Sequence, residues 1–177
     1  GVYYGQNRER GACMKPYRKR IADEILKRKL EGKGAVLIEG PKWCGKTTTA
    51  EQIAASVLYM DEPEKKEQNI TMSETNPRRL LMGETPRLID EWQLAPKLWD
   101  TIRFEVDHRG EPGQFILTGS AVPADTTDIT HSGTGRFTFL TMRPMSLYES
   151  GDSTGEVSLK VLFDGSADVD GSAHLDM

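Results

Sequence analysis

The sequence predicts a single α/β domain built on a largely parallel sheet. Three observations predict it. Five short apolar runs bounded by glycine or polar residues have the length of strands. Segments with apolar residues at helical spacing separate most of them, and strands alternating with helices imply a parallel sheet. The first run, "AVLIE" from Ala35 to Glu39, is apolar without alternation, as in a strand buried on both faces. A chain of 177 residues, 37% apolar and 28% charged, has room for one such domain with a tail or two.

The elements follow in order. The opening "GVYYGQNRERGAC" has no periodicity and Met14 directly precedes the first patterned segment, so residues 1–14 are expected to be an unstructured leader and 15–150 the domain. From Tyr17 to Glu31, Ile21, Ile25 and Leu30 recur at helical spacing among charged residues, and Gly32 and Gly34 end that helix. After the strand Ala35 to Glu39 comes a glycine loop, then a helix with Ala50, Ile53, Ala54 and Val57 on one face. "VLYM", Val57 to Met60, is the second strand, with Val57 at the boundary. Asp61 to Pro86 is mostly polar. It holds one small helix, with Asn76 as cap, Pro77 in the first turn and Gly83 past the end. "RLIDE" supplies a third strand from Arg87 to Ile89. Lys97 to His108 carries Leu98, Ile102 and Val106 on one helical face and closes at Gly110. "QFILTGS" and "RFTFLTM" are the fourth and fifth strands, and Ser146 and Glu149 have the spacing of a capping box that Gly151 stops.

A net charge of −4 argues against bulk attraction to nucleic acid, but a local basic patch can hide in such a sum. Lys15 to Lys33 holds eight basic and three acidic residues, a face suited either to contact with DNA or to solvation of an amphipathic helix. From Gly151 to Met177, six acidic residues stand against Lys160 alone, and these residues are expected to form an acidic tail whose composition cannot build a core. Two cysteines, Cys13 and Cys44, make no disulfide framework, and His108, His131 and His174 lack metal-ligand spacing. No apolar run approaches the ~20 residues that cross a bilayer, and no secretion signal opens the chain, so a cytoplasmic setting without membrane contact is expected.

The chemistry is concentrated in "GPKWCGKTT", the residues Gly40, Pro41, Lys42, Trp43, Cys44, Gly45, Lys46, Thr47 and Thr48. They match Gly-x-x-x-x-Gly-Lys-Thr between a buried strand and a helix, the context a P-loop requires. Gly40 and Gly45 let the backbone curl so that successive N–H groups point at phosphate oxygens, with the positive end of the helix dipole adding to their pull. Lys46 would neutralise the terminal phosphates and the Thr47 hydroxyl would face Mg²⁺. Trp43 and Cys44 occupy free positions of the loop and read as packing or filler. "RLIDEW" then places Asp90 and Glu91 where a parallel sheet puts its ligand sites. Asp90 would serve Mg²⁺ and Glu91 the attacking water, their side chains leaving the strand in opposite directions. An acidic strand end facing solvent is the alternative. Thr118 and Ser120 in "ILTGS" could hold the water, sense the γ-phosphate or cap a turn. Arg136 in "GTGRF" could reach the γ-phosphate of its own or a neighbouring subunit's nucleotide, or be a surface arginine.

With "GPKWCGKT", "RLIDEWQ", "ILTGS" and "GRFTFLTMRPMSLYE" in this order, the chain resembles the prokaryotic ATPases that join an N-terminal AAA domain to a C-terminal domain of unknown function. The resemblance runs from Tyr17 to Glu149. It implies a P-loop NTPase fold with sheet order five, one, four, three, two. It also implies ATP and Mg²⁺ as ligands, Lys46 and Thr47 in the Walker A loop, Asp90 and Glu91 in Walker B, Thr118 or Ser120 as sensor, and Arg136 as the finger, which would call for a homo-oligomer if it works in trans. The second domain of such proteins, nuclease-like or DNA-associated, is expected to be missing. ATP hydrolysis that drives a conformational change is the function implied. A nucleotide-binding interaction module without turnover is one alternative. A small P-loop kinase is another, and it would need an arginine-rich lid and an acceptor pocket. A guanine-reading Asn-Lys-x-Asp or Thr-Lys-x-Asp motif is absent from the sequence.

Overall fold

The computed structural model describes residues 16–119, 136–154 and 164; the leader, Ser120 and most of the tail lie outside these residues. Five strands form one sheet in the order β2-β3-β4-β1-β5: β1 (Ala35–Glu39), β2 (Ser56–Tyr59), β3 (Arg87–Asp90), β4 (Phe115–Thr118) and β5 (Phe137–Thr141). Every pair is parallel, and the order is the one the family resemblance implies, read from the opposite edge.

The pleat sorts the apolar runs into two cores. Leu37, Ile89, Phe115 and Leu117 pack with Leu80 of α4 (Pro77–Leu80) and with Leu98, Ile102 and Val106 of α5 (Leu98–Arg109). On the other face Val36, Ile38, Leu88, Ile116 and Leu140 pack with Leu26 and Leu30 of α1 (Ile21–Gly32) and Ala50 of α2 (Lys46–Glu51). Burial on both faces is why these strands lack alternation. The result is a three-layer α/β domain, in which β1 and β3 both release the chain at the same edge of the sheet.

Several helices differ from expectation. α1 begins at Ile21 rather than Tyr17, because the preceding residues are drawn across α2: the Tyr17 hydroxyl donates to Asp23 Oδ1 at 2.5 Å and lies 3.2 Å from Thr49 Oγ1. Its buried stripe is Leu26 and Leu30, while Ile21 is 56% and Ile25 37% exposed. α2 stops at Glu51. Ile53 and Ala54 still donate their amides to the Ala50 carbonyl, but Ser56 must pair with Arg87, and Val57 therefore belongs to β2. A further helix that the sequence did not signal, α3 (Lys66–Thr75), occupies part of the mostly polar segment. Its inward residues are Asn69 and Ser73, and Asn69 Nδ2 donates to the Tyr59 carbonyl at 3.1 Å. A helix that buries amide and hydroxyl groups leaves no apolar period to detect. α5 ends as expected, on Gly110 with φ 69°.

α6 (Leu147–Ser150) carries the expected capping box: the Ser146 amide donates to Glu149 Oε2 at 2.9 Å and the Glu149 amide to Ser146 Oγ. Glu149 Oε1 also accepts from the Ile21 amide and from Arg20 Nε, both at 3.0 Å. Together, the Ser146 amide first among them, these donors hold the carboxyl at about 2, below its ordinary 4.5. A depressed carboxylate contributes stability that is present above its unfolded pKa and lost as pH falls through the folded one. Chemical unfolding of the native chain should therefore show stability declining between pH 4.5 and about 2, and Glu149→Gln should flatten that part of the decline. An unchanged slope in the variant would show that Glu149 does not carry it.

Candidate active site

The loop after β1 owes its path to glycine. Gly40 has φ 148°, and a Cβ there would stand 2.2 Å from the Met142 carbonyl oxygen. No other residue lets the loop pass so close to the segment leaving β5. Gly45 follows in the left-handed region at φ 92°. Between them, Cys44 packs inward as expected, 5% exposed, with its thiol toward the Met142 carbonyl. Trp43 does not pack. It is 93% exposed, with a left-handed backbone at φ 65°, and the Lys42 ammonium lies 5.9 Å from its ring centre. Lys46 is 8% exposed, and its Nζ donates to the carbonyls of Gly40 and Pro41, each at 2.8 Å. The ammonium therefore spans the mouth of the loop. With only six residues in α2, the helix dipole is a smaller part of the local field than expected, leaving the loop amides and Lys46 as its main positive groups.

Asp90 ends β3 opposite Thr118 of β4, and Thr118 is opposite Ile38 of β1. This register brings three elements to one carboxylate oxygen. Asp90 Oδ1 accepts from Thr47 Oγ1 at 2.8 Å and from Thr118 Oγ1 at 2.5 Å. Thr118 is 1% exposed, and its hydroxyl orients the Asp90 carboxylate from behind.

Glu91 also departs from expectation. It lies beyond the strand, and its direction comes from a left-handed backbone at φ 54° and ψ 42° rather than from the pleat. For a non-glycine residue that conformation costs about 1–2 kcal/mol, a strain typical of residues held for function. Gln93 Nε2 donates to Glu91 Oε2, and a Cβ on Gly119 would stand 2.1 Å from Gln93 Oε1, so the glycine that ends β4 makes room for the amide. Behind it, Trp92 packs against Trp99 with the rings tilted by 43° and their centres 5.4 Å apart, and Trp99 meets Phe137 at 5.2 Å, anchoring the turn that carries Glu91. Gln93 escaped the sequence reading; its only signal is a polar residue directly after the acidic pair and tryptophan.

A cleft of about 450 Å³ is lined by Lys42, Trp43, Gly45, Lys46, Thr47, Thr48, Asp61 and Glu91. Asp61, just after β2, was not anticipated as part of it. Arg136 is elsewhere. Its carbonyl accepts from the Ala35 amide at the start of β1, the end of the sheet opposite the loop, and its Nη1 donates to Asp107 Oδ1 at 2.8 Å. Five strand residues at ~3.3 Å each separate it from the loop, so it cannot serve its own subunit's site. Among the described residues, no cluster of three or more His, Cys, Asp or Glu could cage a metal. His108 stacks on Phe104.

A family model described as an AAA domain matches residues 32–151, which contain the loop, Asp90, Glu91 and all five strands. The chain belongs to this AAA domain family. Membership brings a nucleotide-binding role of the P-loop ATPase kind. The AAA domain is also similar to an uncharacterized protein of Mycobacterium bovis and to one of Mycobacterium tuberculosis, each 28% identical over 146 residues. The match covers 82% of this chain, which spans 33% of the length of those relatives. Among the described residues, no helix of the AAA domain is long and apolar enough to cross a membrane.

Proposed function

We propose that this AAA domain binds ATP with Mg²⁺ and hydrolyses it to drive a conformational change. The observation that carries the proposal is the sharing of Asp90 Oδ1 by Thr47 and Thr118 beside the Lys46 loop, with Glu91 in the same cleft. The loop amides would hold the phosphates and Lys46 would exchange the Gly40 and Pro41 carbonyls for phosphate oxygens. Thr47 and Asp90 offer a hydroxyl and a carboxylate 2.8 Å apart, hard oxygen donors that suit Mg²⁺, which takes few protein ligands when phosphates supply the rest. The ion would neutralise charge on the β- and γ-phosphates. Glu91, held by Gln93, would take a proton from water as its oxygen attacks the γ-phosphorus. The bond from that phosphorus to the bridging oxygen breaks, and the products are ADP and inorganic phosphate.

Arg136 fits this scheme only in trans, on a second copy. Its ion pair with Asp107 is a third to a half exposed, at 36% and 45%, and such pairs are worth about 0–1 kcal/mol, so a neighbour's phosphate could compete for it. Binding without turnover is the second reading, favoured by the same observation, since a lone copy lacks the finger. ATP titration combined with phosphate release over a hundredfold range of protein concentration tests both. Saturable ATP binding with a rate per subunit that rises on concentration is expected. Saturable binding with no release at any concentration would establish the binding module instead.

A further inference from the structure

We propose that Arg20 is a positioning residue for the phosphate loop, acting from the side opposite the nucleotide through the carbonyl of Cys44. Arg20 precedes α1 and is 7% exposed. Its guanidinium donates from all three nitrogens: Nη1 to the Cys44 carbonyl at 3.1 Å, Nη2 to the Arg143 carbonyl at 3.0 Å and Nε to Glu149 Oε1 at 3.0 Å. Glu149 is itself fixed by the Ser146 and Ile21 amides, so the planar fork has one available orientation.

The consequence follows from peptide geometry. The Cys44–Gly45 bond is trans, and in a trans peptide the C=O and the next N–H point in opposite directions. Drawing the Cys44 carbonyl toward the guanidinium therefore turns the Gly45 N–H the other way, toward the cleft that Gly45 lines. A charged donor on the carbonyl also polarises the amide and strengthens that N–H as a donor to an anion. The fit is close: a Cβ on Gly45 would lie 3.3 Å from Arg20 Nη1. Without this contact the Cys44–Gly45 peptide could rotate, and the loop would lose an amide aimed at phosphate before any ligand arrives.

Arg20 has this role only if the loop holds phosphate as proposed above, and the test separates the two. MgADP affinity is measured by calorimetry for the native chain, Arg20→Lys, Arg20→Met and Tyr17→Phe, with thermal unfolding followed in parallel. Tyr17→Phe removes hydroxyl contacts to Asp23 and Thr49 from the same segment without touching the loop carbonyl. Lysine keeps the charge but cannot reach three acceptors at once. The expected result is MgADP binding weakened about tenfold or more in Arg20→Lys and further in Arg20→Met, the worth of one charge-assisted hydrogen bond, with Tyr17→Phe within about twofold of native. Native affinity in Arg20→Lys would overturn the inference, and so would an equal loss in Tyr17→Phe, which would make the effect one of general support. Failure of the native chain to bind MgADP would overturn the nucleotide proposal and this one with it.

Discussion

Glu91→Gln is expected to lower the rate of phosphate release by about 10²–10⁴-fold, the usual worth of a positioned general base, while leaving MgATP affinity within about threefold. The substitution keeps size and hydrogen-bonding capacity, so the turn from β3 should survive; what disappears is a group that can accept the proton of the attacking water. The left-handed backbone at Glu91 and the amide of Gln93 hold that carboxylate in place, and neither depends on its charge being negative. Release of phosphate from radiolabelled ATP under single-turnover conditions measures the effect free of product dissociation. A variant that hydrolyses at the native rate would remove Glu91 from the mechanism and point to Asp61, the other carboxylate lining the cleft.

Lys46→Ala should act on binding instead. The native ammonium is 8% exposed and satisfied by two loop carbonyls. A phosphate that replaces those carbonyls gains a charge-assisted bond of about 1.5–3 kcal/mol, and affinity for MgATP should fall by roughly ten- to a hundredfold or more without it. The same substitution frees the Gly40 and Pro41 carbonyls to water at the open side of the loop, so a small change in thermal stability is expected alongside. Equilibrium binding to the folded variant is the measurement. Native affinity in Lys46→Ala would mean that the loop does not hold phosphate.

Thr118 illustrates what the chain order could not show. Its position at the end of a strand marked it for the site, but three roles fitted a hydroxyl there. Only the register of β4 against β3, which sets Thr118 opposite Asp90, decides that it orients the carboxylate. Arg136 is the opposite case. A "GR" before the last strand suggested reach toward a γ-phosphate, yet a parallel β5 places the start of that strand at the far end of the sheet. Arg20 carried no signal at all, since its partners are 24, 123 and 129 residues away along the chain.

The amino-acid sequence by itself determined the α/β class, five strand positions, the long helix α5 and the glycine loop, because apolar periodicity and glycine placement are local properties of a chain. It also determined which residues converge at the strand ends, since parallel strands deliver their C-termini to one edge. The tertiary structure alone decided the short α2, the polar-faced α3, the direction of Glu91, the bond from Thr118 to Asp90, the exclusion of Arg136 from its own site and the buried grip of Arg20 on the loop. Each of these depends on register or on contacts between residues far apart in the chain, and no local period encodes either.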